Sequence, residues 1–202
     1  MKTMLKDALV LFVITVVAGL ALGFVYNITK EPIRISEEKK ANAAYAEVMP
    51  GAASFDELEA VDTVEGEFAN QWKSNGYDKD DIDKVLEAKD ASGNLMGYVI
   101  MVTSHAGFGG DISFTMGINS EGTLNGISIL GISETPGLGM KAEEVLKPQY
   151  AGKNVTGFSV TKTGASADSQ IDAISGATIT SNALTTGVNA GLFYYQTNLG
   201  GV

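Results

Sequence analysis

Ala8 to Tyr26 is a run of 19 residues without a single charge, built mostly of Val, Leu, Ala and Phe. Coiled at about 1.5 Å per residue, it nearly spans the ~30 Å hydrocarbon core of a bilayer. Such a run is either cleaved off as a signal peptide or retained as a helix in lipid. A signal peptide has a shorter apolar core and an A-x-A-like cleavage site. Here the run is followed by Tyr26-Asn27-Ile28-Thr29-Lys30, which offers no such site. A retained signal-anchor helix is therefore predicted. Lys2 and Lys6 precede it and Lys30 and Arg34 follow, so the positive-inside bias is weak. The short N-terminal tail favours a cytoplasmic N-terminus, with the rest of the chain on the outer side of the cell (inner) membrane.

The remainder reads as one soluble domain with a lead-in. Pro32 sits where a second helix can begin, and Glu37 to Val48 holds good helix formers up to Pro50-Gly51. Residues 51–66 are acidic and read as loop. Gln71 to Asp83 is polar and carries the only Trp, Trp72, which is expected to pack in the core rather than stack on a ligand. From Lys84 the pattern turns to strands. Val85–Lys89 and Leu95–Ser104 flank the turn sequence Asp90-Ala91-Ser92-Gly93-Asn94. Ile112, Phe114, Met116 and Ile118 alternate with polar or small residues, which predicts a half-buried strand. Thr123–Ile132 follows the turn at Asn119–Gly122. The outcome is an antiparallel meander from Lys84 to Ile132, broken by Gly107-Phe108-Gly109-Gly110. Those glycines suit a ligand, but turns and bulges use glycine more often. Ala142–Lys147 reads as a short helix and Thr156–Thr163 as a strand. An apolar-periodic helix follows Asn182, with Gly187 and Gly191 allowing close approach to another helix or to the sheet. The predicted fold is α+β: one N-terminal transmembrane helix, then an antiparallel sheet with packed helices.

Charge and composition exclude several chemistries. The formal net charge is -10; the first 30 residues are net +2, so the other 172 are net -12. An acidic domain is a poor partner for nucleic acid, whose affinity rests on Lys and Arg. With no Cys, the chain itself forms no disulfide and ligates no iron–sulfur cluster through thiolates. A lone histidine, His105, makes a His-built metal centre or a Ser–His hydrolase hard to assemble. Electron transfer by such a chain requires an organic cofactor. Gly137-Leu138-Gly139-Met140-Lys141-Ala142 fits G-x-G-x-x-A superficially, but no acid occurs in Thr156–Lys162, where a dinucleotide fold needs one. The chemistry-bearing stretch is 172–182. Ser175, Gly176, Ala177 and Thr178 lead into the last helix, with Ser181 or Thr180 as expected N-cap. Such a turn can receive a phosphate on free N–H groups, or it can be an ordinary polar helix start.

Ser175-Gly176-Ala177-Thr178, with Asp172 six residues before the Thr, resembles the flavinylation motif of the FMN-binding domain family. Glu134-Thr135-Pro136-Gly137-Leu138-Gly139 resembles the loop that lies against the flavin in that family. Lys30-Glu31-Pro32-Ile33, just after the apolar helix, resembles the G subunit of Rnf complexes. The resemblance implies FMN esterified through its phosphate to Thr178, with Ser175, Gly176 and Ala177 shaping the turn. It implies Glu134, Thr135 and Leu138 along the flavin and Lys162 as the nearest basic residue. It makes Asp172 a recognition residue for a flavin transferase. It implies an electron-transfer role among other subunits of a membrane complex that couples ferredoxin oxidation and NAD reduction to ion translocation. The C subunit of the sodium-translocating NADH:quinone reductase shares these motifs but is generally longer. A membrane-anchored binding or scaffold module without redox role is the alternative of a different class. On this basis the chain divides into an anchor over 1–29, a helical linker and lead-in over 30–83, and an FMN-binding domain over 84–202.

Overall fold

A computed structural model describes residues 2–59, 63 and 66–200. The chain forms two compact units, Met1–Asn42 and Ala43–Val202. The first helix, α1 (Lys2–Val48), supplies the described residues of the first unit and the opening of the second. In the first unit its apolar side chains are bare: Leu22 is 71% and Phe24 68% exposed. A soluble domain does not leave a helix of this length and composition uncovered, whereas lipid covers it. Among the described residues this is the one helix long and apolar enough to cross a membrane. The expected new helix at Pro32 is instead a continuation of α1. Proline removes one N–H from the ladder, and on an exposed helix the freed carbonyl stays accessible. Arg34, paired with Glu31 at 2.6 Å and with Glu38, ties the turns on either side.

The second unit is built on a five-stranded antiparallel sheet in chain order. Its strands are β1 (Ser54–Leu58), β2 (Asp80–Lys89), β3 (Leu95–Ser104), β4 (Ile112–Asn119) and β5 (Leu124–Ile132). The predicted meander is thus present, and it gains β1 from the acidic stretch expected to be loop; residues 60–62 and 64–65 of that stretch lie outside the described residues. β1 is an edge strand, and its carboxylates pair across to β2, with Asp56 to Lys89 at 2.9 Å and Glu57 to Lys84 at 2.8 Å. A short helix α2 (Gly66–Ser74) carries Trp72, buried among Phe68, Tyr77 and Phe193, with its indole N–H on the carbonyl of Asp80 at 3.0 Å.

Beyond β5 come α3 (Ala142–Val145) and a 3-10 turn, Lys147–Tyr150. The predicted strand Thr156–Thr163 shortens to β6 (Ser159–Thr161), which pairs in parallel with β7 (Gln170–Asp172). The C-terminal helix α4 (Thr178–Asn198) lies across β2, β3 and β4. Leu184, Val188 and Leu192 pack with Ile100, Phe114 and Met116 in one core. The backbones come close enough that a Cβ at Gly191 would sit 2.1 Å from Met116 Sδ, so the small residues serve the sheet. β4 is buried on both faces rather than one, Thr115 included. The reason is the end of α1: Val48 O would lie 2.2 Å from a Cβ on Gly117, and Asn125 Nδ2 donates to that carbonyl at 3.1 Å.

Candidate functional site

Four chain segments meet beside the start of α4. The first is the turn before it. Ala177 N–H donates to Ile174 O at 3.0 Å, and Gly176 has φ +79 at the third position. A type II turn needs that conformation, which glycine reaches without steric cost. The helix then begins at Thr178, three residues before Ser181. Ala177 is its N-cap and supplies no side-chain bond. The expected cap, Ser181, is instead buried within the helix: its Oγ accepts the Ile174 N–H at 3.0 Å and donates to Ala177 O at 2.9 Å. Having a nearer task, the hydroxyl leaves the first N–H groups of the helix without a side-chain cap.

The second segment follows β5. Glu134 is 8% exposed, and its Oε1 accepts the backbone N–H of Phe108 at 2.7 Å. That bond ties the third segment, the glycine-flanked Phe108 loop between β3 and β4, to the second. Gly139, at the start of the 3-10 turn Gly139–Lys141, closes the floor. A Cβ there would stand 2.7 Å from Thr180 Oγ1 and 2.9 Å from Glu134 Oε2. Leu138 reaches the turn: a Cβ on Gly176 would lie 3.2 Å from Leu138 Cδ2. The fourth segment is the first turn of α4 itself.

These segments enclose a groove of about 350 Å³. Gly176, Ala177, Thr178, Ile179 and Thr180 form one wall, and Phe108, Glu134, Thr135, Leu138 and Gly139 the other. Three large apolar residues stand exposed along it, Phe108 at 69%, Ile179 at 53% and Leu138 at 40%. In the second unit the only other exposed large hydrophobics among the described residues are Leu95 and Met140. Thr178 is half-buried. Glu134 is the only charged side chain in the lining; no Lys or Arg lines the groove among the described residues. Any anion bound there relies on the helix N-terminus, with its free N–H groups and the positive end of its dipole.

Six of the residues singled out from sequence come together: Thr178, Gly176, Ala177, Glu134, Thr135 and Leu138. Ser175 is exposed in the turn but outside the lining, and Lys162 is exposed just past β6, also outside it. Asp172 lies in β7, half-buried, with its backbone N–H and C=O both bonded to the Gln149 side chain. Sequence reasoning passes over Phe108, Ile179 and Thr180 as groove residues, and it reaches Gly139 only as the last residue of the Glu134–Gly139 motif. For Phe108 the available signal is an aromatic residue isolated among glycines where the meander breaks.

An uncapped helix start, a groove rimmed by apolar side chains and the Thr178 hydroxyl suit the parts of a phosphorylated aromatic cofactor. The family description "FMN-binding domain" matches residues 107–192, which contain both walls of the groove. A second description, "RnfG N-terminal region", matches residues 1–48. The fold and the site thus define an FMN-binding domain carried behind an N-terminal helix of membrane-spanning length. A relative from Acetobacterium woodii, the G subunit of the Na(+)-translocating ferredoxin:NAD(+) oxidoreductase complex, is 34% identical over 96% of this chain and 93% of its own length. The G subunit of the ion-translocating oxidoreductase complex of Methanosarcina acetivorans is 30% identical over 98% of each chain. The chain belongs to the family of G subunits of ion-translocating (Rnf) oxidoreductase complexes. The crystal structure of Shewanella oneidensis NqrC has a TM-score of 0.47 at 21% identity, covering 56% of this chain and 58% of that one.

Proposed function

We propose that the chain is an electron-transfer subunit whose FMN is esterified through its phosphate to Thr178. In this reading it works among the other subunits of a membrane complex that moves ions as electrons pass from ferredoxin to NAD. The observation that carries the reading is convergence at one residue. Thr178 is the first residue of an α4 whose N-terminus has no side-chain cap, and it opens onto the groove rimmed by Phe108, Leu138 and Ile179. FMN supplies the electron chemistry that a cysteine-free chain lacks.

The residues divide the work. The N–H groups at the start of α4 meet the phosphate, and the Thr178 hydroxyl is the point of attachment. Gly176 and Ala177 hold the turn, and Ser175 shapes its exposed side. Phe108, Leu138 and Ile179 provide apolar walls for a flat ring system. Glu134 fixes the Phe108 wall through its bond to the backbone, and Thr135 closes the same side. Lys162, the basic residue the resemblance offers, stands outside the groove lining. The Asp172 carboxylate accepts no hydrogen bond among the described residues, which leaves it open to be read by a flavin transferase. Residues 1–29 anchor the chain in the cell membrane with the N-terminus cytoplasmic, residues 30–83 form the lead-in, and the FMN domain over 84–202 faces outward.

Protein purified from membranes of a host that has the transferase tests the attachment. On a denaturing gel the wild-type band fluoresces and a Thr178→Ala band does not. A fluorescent Thr178→Ala band places the flavin elsewhere, and a dark wild-type band removes covalent attachment altogether.

A further inference from the structure

Gln149 is held outside the groove, in the 3-10 turn Lys147–Tyr150, yet both ends of its amide are in use. Nε2 donates to Val145 O at 2.7 Å and to Asp172 O at 3.1 Å, while Oε1 accepts the Asp172 N–H at 2.7 Å. The side chain therefore acts as a surrogate strand on the open edge of β7. The other edge is paired to β6, and Ala173 N–H continues that ladder to Thr161 O at 2.8 Å. Immediately after, the Ser181 hydroxyl takes the Ile174 N–H and gives its proton to Ala177 O. Ile171, Ile174 and Ala177 are buried, at 0%, 4% and 8% exposed. Between Asp172 and Ala177 only Ser175 and Gly176 are exposed, so the backbone reaching Thr178 has little freedom.

We propose that Gln149 is a positioning residue for the flavin: by clamping Asp172 it fixes the strand-to-helix segment, and with it the Thr178 oxygen through which FMN is held. Ser181 completes the clamp from the helix side. The inference rests on attachment at Thr178 and goes beyond it by assigning the rigidity of the anchored end to side chains outside the groove. An internal comparison is available. Asn189 grips Phe158 in the same two-point manner, accepting its N–H at 2.7 Å and donating to its carbonyl at 2.9 Å. That clamp acts ahead of β6 rather than on the segment that bears Thr178. If rigidity at the anchor is the point, the two amides differ in effect although their geometry is alike.

The test uses the full chain in detergent, both free of flavin and after flavinylation in a host that has the flavin transferase. In the flavin-free protein, Gln149→Ala is expected to speed amide exchange at Asp172 at least tenfold and to leave β4 amides unchanged. In the flavinylated protein the denaturing-gel fluorescence stays at the wild-type level, because the bond to Thr178 is still made. The share of flavin anisotropy lost in a sub-nanosecond phase at least doubles, and the visible circular dichroism of the flavin falls. Gln149→Glu keeps the size and the acceptor but turns an oxygen toward the carbonyls of Val145 and Asp172, so it shifts both signals in the same direction. Should Gln149→Ala lose the native emission of Trp72, the Glu variant decides. Flavin anisotropy and circular dichroism equal to wild type overturn the proposal, and so does an equal change in Asn189→Ala. A wild-type chain that carries no flavin after denaturation removes the attachment reading instead. In that case Asp172 exchange in the flavin-free variants still shows whether Gln149 holds the segment.

Discussion

Replacing Asp80 by Asn is expected to stabilise the domain at neutral pH and to leave it nearly unchanged in acid. Asp80 opens β2 with its side chain 1% exposed, and neither carboxylate oxygen has a well-aligned hydrogen-bond partner among the described residues. Ser104 Oγ, also buried and without a well-aligned partner, lies nearby. Burial pushes the Asp80 carboxyl up from 3.8 to about 6; the Ser104 hydroxyl and the His105 charge pull the other way but do not win. Asp78 and Asp81 add to the rise. Because the folded value is the higher one, the native state keeps a proton that the unfolded chain gives up between about pH 4 and 6. The stability from this site is whole below about pH 4 and is lost as pH climbs through 6. A shift of about two units corresponds to about 3 kcal/mol. His105 slopes the same way, since bonds to Asp111 and Asp81 raise its pKa, but those bonds are present in both proteins and only its weaker coupling to Asp80 enters the difference. Urea unfolding of the full chain in detergent, followed by Trp72 emission, measures the effect from pH 4 to 8. Trp72 suits the purpose, being the only Trp and bonded to the Asp80 carbonyl. Asp80→Asn should exceed wild type by up to about 3 kcal/mol at pH 7.5 and by little at pH 4. A difference that does not change with pH would mean that the buried carboxylate has found a partner and that the desolvation argument is wrong.

Other expectations follow from the groove and the anchor. Gly176→Ala, forced into positive φ against Leu138, should destabilise by about 1–2 kcal/mol in a thermal melt and lower the FMN content; an unchanged melt would place the turn elsewhere. Asp172→Ala should leave the melt unchanged yet reduce flavin incorporation when the transferase is limiting; full incorporation would remove Asp172 from what the transferase reads. Deleting residues 1–28 should leave a water-soluble, folded domain with the Trp72 emission of the full chain. Aggregation of that variant, or membrane binding equal to the full chain, would contradict the single-anchor account.

What can be read directly is whatever rests on local pattern. The apolar run and the alternation in β4 reflect periods of a single element, and the helix after Asn182 shows the same. Long-range covering is not legible: β4 reads as half-buried because nothing local reveals that Val48 covers its second face. β1 escapes detection because edge strands carry charge, and Asp56 and Glu57 look like loop until their lysine partners on β2 are seen. The helix start is misplaced because Ser181 has the composition of an N-cap, while its hydroxyl bonds Ile174 and Ala177 instead. Most of the groove is accessible through motif resemblance. Phe108 is not, because its place depends on one hydrogen bond to Glu134, 26 residues away. Gln149 carries no pattern at all; only the fold sets it beside Asp172.

The central claim is that FMN is bonded to the Thr178 oxygen. Trypsin cuts after Lys162, and 163–202 contains no Lys or Arg, so every candidate hydroxyl lies in the one peptide that begins at Thr163. Mass spectrometry of that peptide from native membranes should find it heavier by FMN less one water, with fragmentation assigning the added mass to Thr178. The unmodified peptide alone, or the added mass on Ser175, Thr180 or any other hydroxyl, would contradict the account.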